Sequence, residues 1–259
     1  MPPESLNRGT NRAFSTGLCH GPPRPLPSFA RFHLWATGIF ADGVSSQEIV
    51  GYQTKTIKAG FSLNTPTFTD VGSDGIDLSK FKLLNAAGDG TEVIQVLDEN
   101  GMNNETWTWL NENAGMKEGW YDEVSWEPIS GKINPGNGYL MNVAADVVVS
   151  VSGAVKADKT IVDLPVGFKV VGNSTPDSID LQSIKILNGA GDGTEVIQVL
   201  DENGINNETW AWLNENAGMK EGWYDEVSWE PINKTVDPGS AFLFNVATDT
   251  KVEIPAALK

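Results

Sequence analysis

The chain has 259 residues, with 34 Asp and Glu against 18 Lys and Arg, and a formal net charge of -16 at pH 7. This acid excess excludes nucleic acid and anionic membrane surfaces as partners, because both demand clustered Lys and Arg. No apolar run approaches the ~20 residues that cross a bilayer, so membrane insertion is not expected.

Residues 1–46 use a different alphabet from the rest. All four Arg (Arg8, Arg12, Arg24, Arg31), both His (His20, His33), the single Cys19 and six of the 14 Pro fall there. One reading is a signal-like leader: Arg31 precedes the apolar stretch Phe32–Ala41, which ends on a small residue. The other is a disordered leader, or upstream sequence added by a wrong start codon. The body carries no Cys, so cysteine usage gives no redox information.

From residue 47 the pattern turns to short strands. Tyr52–Lys58 alternates and is β-branched. Ala59-Gly-Phe61 is a turn. Ile76–Ser79 and Phe81–Leu84 are short extended segments, and Thr91–Asp98 is a stronger strand. Asn100-Gly101 then signals a hairpin, with a two-residue type I′ turn as the expectation. Thr106–Leu110 returns, placing Trp107 and Trp109 on one face by period-2 alternation. Asn111–Glu118 has room for one helical turn. Glu118–Glu127 carries Trp120 and Trp126 at equal parity if it stays extended. Pro135-Gly136 turns into the strands Tyr139–Val143 and Val147–Val151.

The same order then recurs. Gly88–Pro128 reappears 103 positions later as Gly191–Pro231, with only Met102/Ile205 and Thr108/Ala211 different. Over Ile129–Val151 against Ile232–Ile254 only nine of 23 positions match, so the identity is concentrated in the block. Matching Gly60 to Gly167 places a four-residue, loop-type insertion within Asn64–Gly75 of the first copy. Such a repeat means tandem units. The expected fold is all-β: two tandem β-sandwich or small β-barrel domains of about 100 residues at 47–152 and 153–259, after the 1–46 leader. The junction is too short for free swinging.

Each block holds ten acids and one Lys, so the two copies carry all the net negative charge of the body and eight of the nine Trp. Acids beside aromatic rings suit sugar binding, where rings stack on pyranose faces and carboxylates accept hydroxyl hydrogen bonds. Trp120-Tyr121 and Trp223-Tyr224 follow Gly in polar surroundings and are the candidate ligand platform. The competing reading places tryptophans in the core and acids on a solvated face. Asp98 with Asn100, and Asp201 with Asn203, are the candidate calcium ligands, although the run departs from the EF-hand pattern at its sixth and twelfth positions. Gly189-Ala-Gly-Asp-Gly193 mimics a phosphate loop but lacks its Lys and a following helix, so it reads as a turn.

Thr106-Trp-Thr-Trp109, Gly119-Trp120 and Pro135-Gly-Asn-Gly-Tyr139 recur as Thr209-Trp-Ala-Trp212, Gly222-Trp223 and Pro238-Gly-Ser-Ala-Phe242. This pattern resembles a loosely defined group of bacterial secreted or surface tandem β-repeat proteins. The resemblance implies export and a non-catalytic role. Absence of His and Cys from the body also removes Ser-His and Cys-His catalysis. The functional expectation is a secreted or cell-surface structural and interaction module whose partner is a protein or glycan. A carbohydrate-binding module is the first alternative. A glycosidase using a carboxylate pair among Asp98, Asp122 and Glu123 is the second.

Overall fold

The computed structural model describes residues 49–98 and 100–257, so the expected leader lies outside the described residues. Residues 46–259 form one compact unit. The first repeat contributes β1 (Val50–Ile57), β2 (Gly60–Asn64), β3 (Ile76–Asp77), β4 (Lys82–Leu83) and β5 (Asp89–Leu97). It continues with β6 (Asn103–Leu110), β7 (Gly119–Asp122), β8 (Lys132–Ile133), β9 (Tyr139–Val143) and β10 (Val147–Ala154). The second repeats this order as β11 (Thr160–Leu164), β12 (Gly167–Gly172), β13 (Ile179–Asp180), β14 (Lys185–Leu187) and β15 (Asp192–Leu200). It closes with β16 (Asn206–Leu213), β17 (Gly222–Asp225), β18 (Thr235–Val236), β19 (Ala241–Val246) and β20 (Thr250–Ile254). The expected boundary at 152/153 falls inside β10, which stays paired with β1 as far as Ala154 opposite Val50.

The protein is all-β. Each repeat builds a three-stranded sheet (β1-β10-β4; β11-β20-β14) and a five-stranded sheet (β2-β9-β5-β6-β7; β12-β19-β15-β16-β17), with a two-stranded pair (β3-β8; β13-β18). These do not come out as two clear, separate sandwiches or barrels. The sheets are arranged like a four-bladed propeller, and the repeats are bonded to each other. Among the described residues no helix is longer than a three-residue 3-10 turn, and none is long and apolar enough to cross a membrane. The expected single turn after Asn111 is such a piece, Glu112–Ala114, capped by the Asn111 side chain and ended by Gly115.

Each repeat has its own core. In the first, Ile57, Val149 and Leu83 of the smaller sheet meet Ile94, Trp109, Trp120 and Met141 of the larger. In the second, Val162, Ile186 and Val252 meet Ile197, Trp212, Trp223 and Phe244. The stretch Asn64–Gly75 of the first repeat, which holds the four-residue insertion, includes an exposed turn at Val71–Asp74, closed by Asp70 N–H to Gly75 O, and a buried part before it. The buried part places Phe68, 2% exposed, in the core, and Thr69 exchanges backbone hydrogen bonds with Ala154.

A third, smaller core joins the repeats, built from Val170, Ala241 and Leu243 with Leu63, Leu97, Phe168 and Leu200 around them. The bonds across this junction are reciprocal. Asn64 bridges Ser240, and the equivalent pair Val171 bridges Asn137. Thr65 N–H donates to Gly239 O (3.1 Å), and its equivalent, Gly172 N–H, donates to Gly136 O (3.1 Å). Lys55 pins the same seam, donating to Asn64 Oδ1, Gly239 O and Ser240 Oγ. Burial is the main influence on its ammonium and lowers its pKa to about 8.

The Asn-Gly hairpins are present, but their turns are not type I′. Asp98 N–H bonds Met102 O and Gly101 N–H bonds Asp98 O, which closes a longer loop. Gly101 and Gly204 take positive φ, 74° and 76°, while Asn100 and Asn203 do not. A type I turn followed by a left-handed glycine is the next most common hairpin solution. Here Asp98 selects it, because its Oδ1 accepts the N–H groups of both Asn100 and Met102 (2.9 Å each). Phe168 packs against Gly101 and Phe61 against Gly204, where an added Cβ would lie 3.1 and 3.4 Å from the rings.

Candidate functional site

The expected aromatic platform is buried. Trp120 and Trp223 are 4% and 0% exposed, and Tyr121 and Tyr224 are 6% and 5%. Strand β7 pairs with β6 so that Trp120 stands opposite Trp109, and Trp223 opposite Trp212. The ring pairs meet edge to face at 5.2 and 5.1 Å. The indole N–H groups donate to Phe81 O (3.2 Å) and Ile184 O (2.8 Å), which satisfies the one polar atom of each ring. Tyr121 and Tyr224 donate to the Lys117 and Lys220 carbonyls at 2.8 Å. These four residues are structural, and the sequence-based choice of platform is corrected.

The exposed tryptophans are Trp126 and Trp229, 53% and 50% exposed, beside Val124 and Val227 at 89% and 90%. They sit on the loop after β7, which is identical in the two repeats (Tyr121–Pro128 and Tyr224–Pro231). The expectation that Trp126 keeps strand parity fails because β7 ends at Asp122. The Asp122 carboxylate caps the loop, accepting from Ser125 N–H (2.7 Å) and Val124 N–H (3.1 Å). The bonds from Ser125 are the leading cause that holds its carboxyl below the usual aspartate range. Trp126 N–H then bonds Asp122 O (3.0 Å), and Trp229 N–H bonds Asp225 O (2.9 Å). This closure forces φ of 59° on Trp126 and 57° on Trp229. For a bulky L-residue that region is unfavourable by roughly 1–2 kcal/mol.

Beside this loop the first repeat has an open groove of about 530 Å³, lined by Trp107, Val96 and Ile129 with Glu105, Asp122 and Glu127 at its rim. In the second repeat a side chain covers the corresponding ring. Lys234 stands where the first repeat has Gly131, its Nζ 4.7 Å from the centroid of the Trp210 ring and 2.6 Å from Glu208 Oε2. The Lys234 bond is the main reason the Glu208 carboxyl lies below the usual glutamate range. Glu208 also accepts the Trp210 indole N–H at 3.1 Å. With Phe242 also edge-on against it at 5.3 Å, Trp210 is 2% exposed, whereas its twin Trp107 is only partly buried.

The candidate calcium ligands are hairpin caps. Asp98 and Asp201 each spend Oδ1 on two backbone N–H groups, of Asn100 and Met102 and of Asn203 and Ile205. The Met102 and Ile205 bonds are the largest causes lowering their pKa values. Among the described residues no three His, Cys, Asp or Glu side chains group as a metal site.

The phosphate-loop mimic does hold an anion, and it is the protein's own. Glu195, 1% exposed, accepts Ala190 N–H (2.6 Å) and Gly191 N–H (3.1 Å). Glu92, 3% exposed, does the same for Ala87 (2.7 Å) and Gly88 (3.1 Å). The turn reading stands, with a buried carboxylate as its clamp. No family model, curated protein or solved structure matches the chain.

Proposed function

We propose that the protein is a non-catalytic interaction module of secreted or surface type, a fused pair of sandwich-like repeats that shows the same apolar loop twice. One observation carries this reading: Trp126 and Trp229 are half exposed and held left-handed in both copies. A Trp kept for packing belongs in the core, and a residue kept for this turn geometry is better as Gly or Asn. Strain of this kind persists where another use requires the side chain. An exposed apolar tip ringed by acids fits a protein partner. The acids once considered for glycosidase chemistry support a non-catalytic role, since Asp98 and Asp122 cap their own loops and have lowered pKa values, whereas a general acid needs a raised one.

The test is the double variant Trp126→Gly/Trp229→Gly, carried with wild type through phage-displayed peptide selection and a glycan array. Gly relieves the backbone strain, so stability should stay within about 1 kcal/mol of wild type. Peptides enriched on wild type should be lost from the variant. Glycans bound by wild type and lost from the variant would transfer the reading to carbohydrate recognition. Absence of both kinds of ligand would sink the loop as a binding element.

The acid load yields a second expectation. Ten acids face one Lys in each block, and their repulsion weakens the fold at low ionic strength. In thermal melts, magnesium should raise Tm as much as calcium does. About 0.2 M NaCl should replace most of that effect, because the Debye length is then under ~8 Å. A shift seen with micromolar calcium alone would instead make Asp98 with Asn100, and Asp201 with Asn203, a metal site.

A further inference from the structure

The two near-identical blocks are followed by different residues: Ile129-Ser130-Gly131 in the first repeat and Ile232-Asn233-Lys234 in the second. Lys234 shows what this groove accepts. Its ammonium stands over the Trp210 ring, and its charge is neutralised by Glu208. In the first repeat Trp107 and Glu105 occupy the equivalent positions, and no cation among the described residues pairs with Glu105. At Gly131 an added Cβ would meet nothing within 4 Å. Lys132, the cation on the rim, is turned to Ser73, its Nζ 2.8 Å from Oγ. Asp122 and Glu127 add negative charge around the same opening.

We infer that the groove of the first repeat is a binding site for an alkylammonium group, and that its occupant is a lysine side chain presented by a partner protein. The ammonium lies over the Trp107 face, where the ring quadrupole attracts a cation, and pairs with Glu105. The methylene stem then runs along the apolar wall formed by Val96 and Ile129. The second repeat is self-filled, so the chain offers one such site and not two. The inference rests on the interaction-module reading only in taking the partner to be a protein.

The probe is N-acetyl-lysine methylamide, followed by NMR at the indole N–H resonances of Trp107 and Trp210. N-acetyl-norleucine methylamide serves as the neutral control. In wild type the Trp107 signal should shift and saturate, with a Kd on the order of millimolar for a single side chain, while Trp210 stays still. Gly131→Lys should abolish the Trp107 response and move its resonance towards that of Trp210. Lys234→Gly should make Trp210 responsive, which keeps the test decisive if Gly131→Lys does not fold. An unresponsive Trp107, an equal response to the norleucine compound, or equal linear drifts at both indoles would overturn the site. In Trp126→Gly/Trp229→Gly the lysine response should persist. Its persistence alongside lost peptide selection, or its absence alongside intact selection, tells failure of one proposal from failure of the other.

Discussion

Trp223→Ala should destabilise the protein by about 3–5 kcal/mol, the range for deleting a large buried aromatic side chain. Trp223 is fully buried, packs edge-on against Trp212 at 5.1 Å and Phe244 at 5.8 Å, and donates to Ile184 O. Removing it opens a cavity between the two sheets and leaves that carbonyl without its partner. For a unit of this size each kcal/mol lowers Tm by roughly 2–4 °C, so a drop of roughly 6–20 °C is expected. Trp229→Ala, in the same block, should cost under about 1 kcal/mol because its ring is half in water. Urea melts of the two variants test the assignment directly. Equal, small losses would mean that Trp223 is not part of the core.

Glu195→Ala should be nearly as severe, at roughly 3 kcal/mol or more. Its carboxylate is the acceptor for two backbone N–H groups in a partly buried turn, and each N–H left unpaired and away from water is unfavourable by about 1–3 kcal/mol. Glu195→Gln keeps the volume but offers one N–H group a donor in place of an acceptor, so it should recover only part of the loss. Hydrogen exchange at Ala190 and Gly191 gives an independent reading. Both amides are protected in wild type and should exchange quickly in either variant. Retained protection would show that another group satisfies them.

Much of the fold was legible because its signals are local. Alternation marked β1 and β6, apolar runs marked β5, β9 and β10, and the 103-residue period marked the second set. Asn-Gly placed the hairpins, although the turn type was decided by Asp98, whose side chain competes for N–H groups that a two-residue turn leaves free. What the sequence hid is long-range. Gly119-Trp120-Tyr121 lies in polar company and reads as surface, yet β7 pairs with β6 and turns Trp120 onto Trp109. Trp126 reads as a strand partner of Trp120, yet the Asp122 cap ends the strand and turns the indole outward. Parity arguments fail wherever a side-chain cap breaks the extended backbone. The groove had one available signal, the Gly131/Lys234 difference just beyond a block changed at only two positions. It gained meaning only once Trp210 was seen beneath the lysine.

The reciprocal seam has a consequence for how such a chain can arise and be divided. Phe61 against Gly204 and Phe168 against Gly101 are the same contact made twice, as are Thr65 with Gly239 and Gly172 with Gly136. An interface of that kind is isologous, as in a twofold homodimer, with each half carrying both the patch and its complement. The protein is in effect a covalent dimer. The short connection after Ala154 replaces a concentration-dependent association with an effective concentration in the millimolar range. A single repeat produced alone would expose Leu63, Leu97 and the ring of Phe61, and would recover their burial by pairing with a second copy of itself.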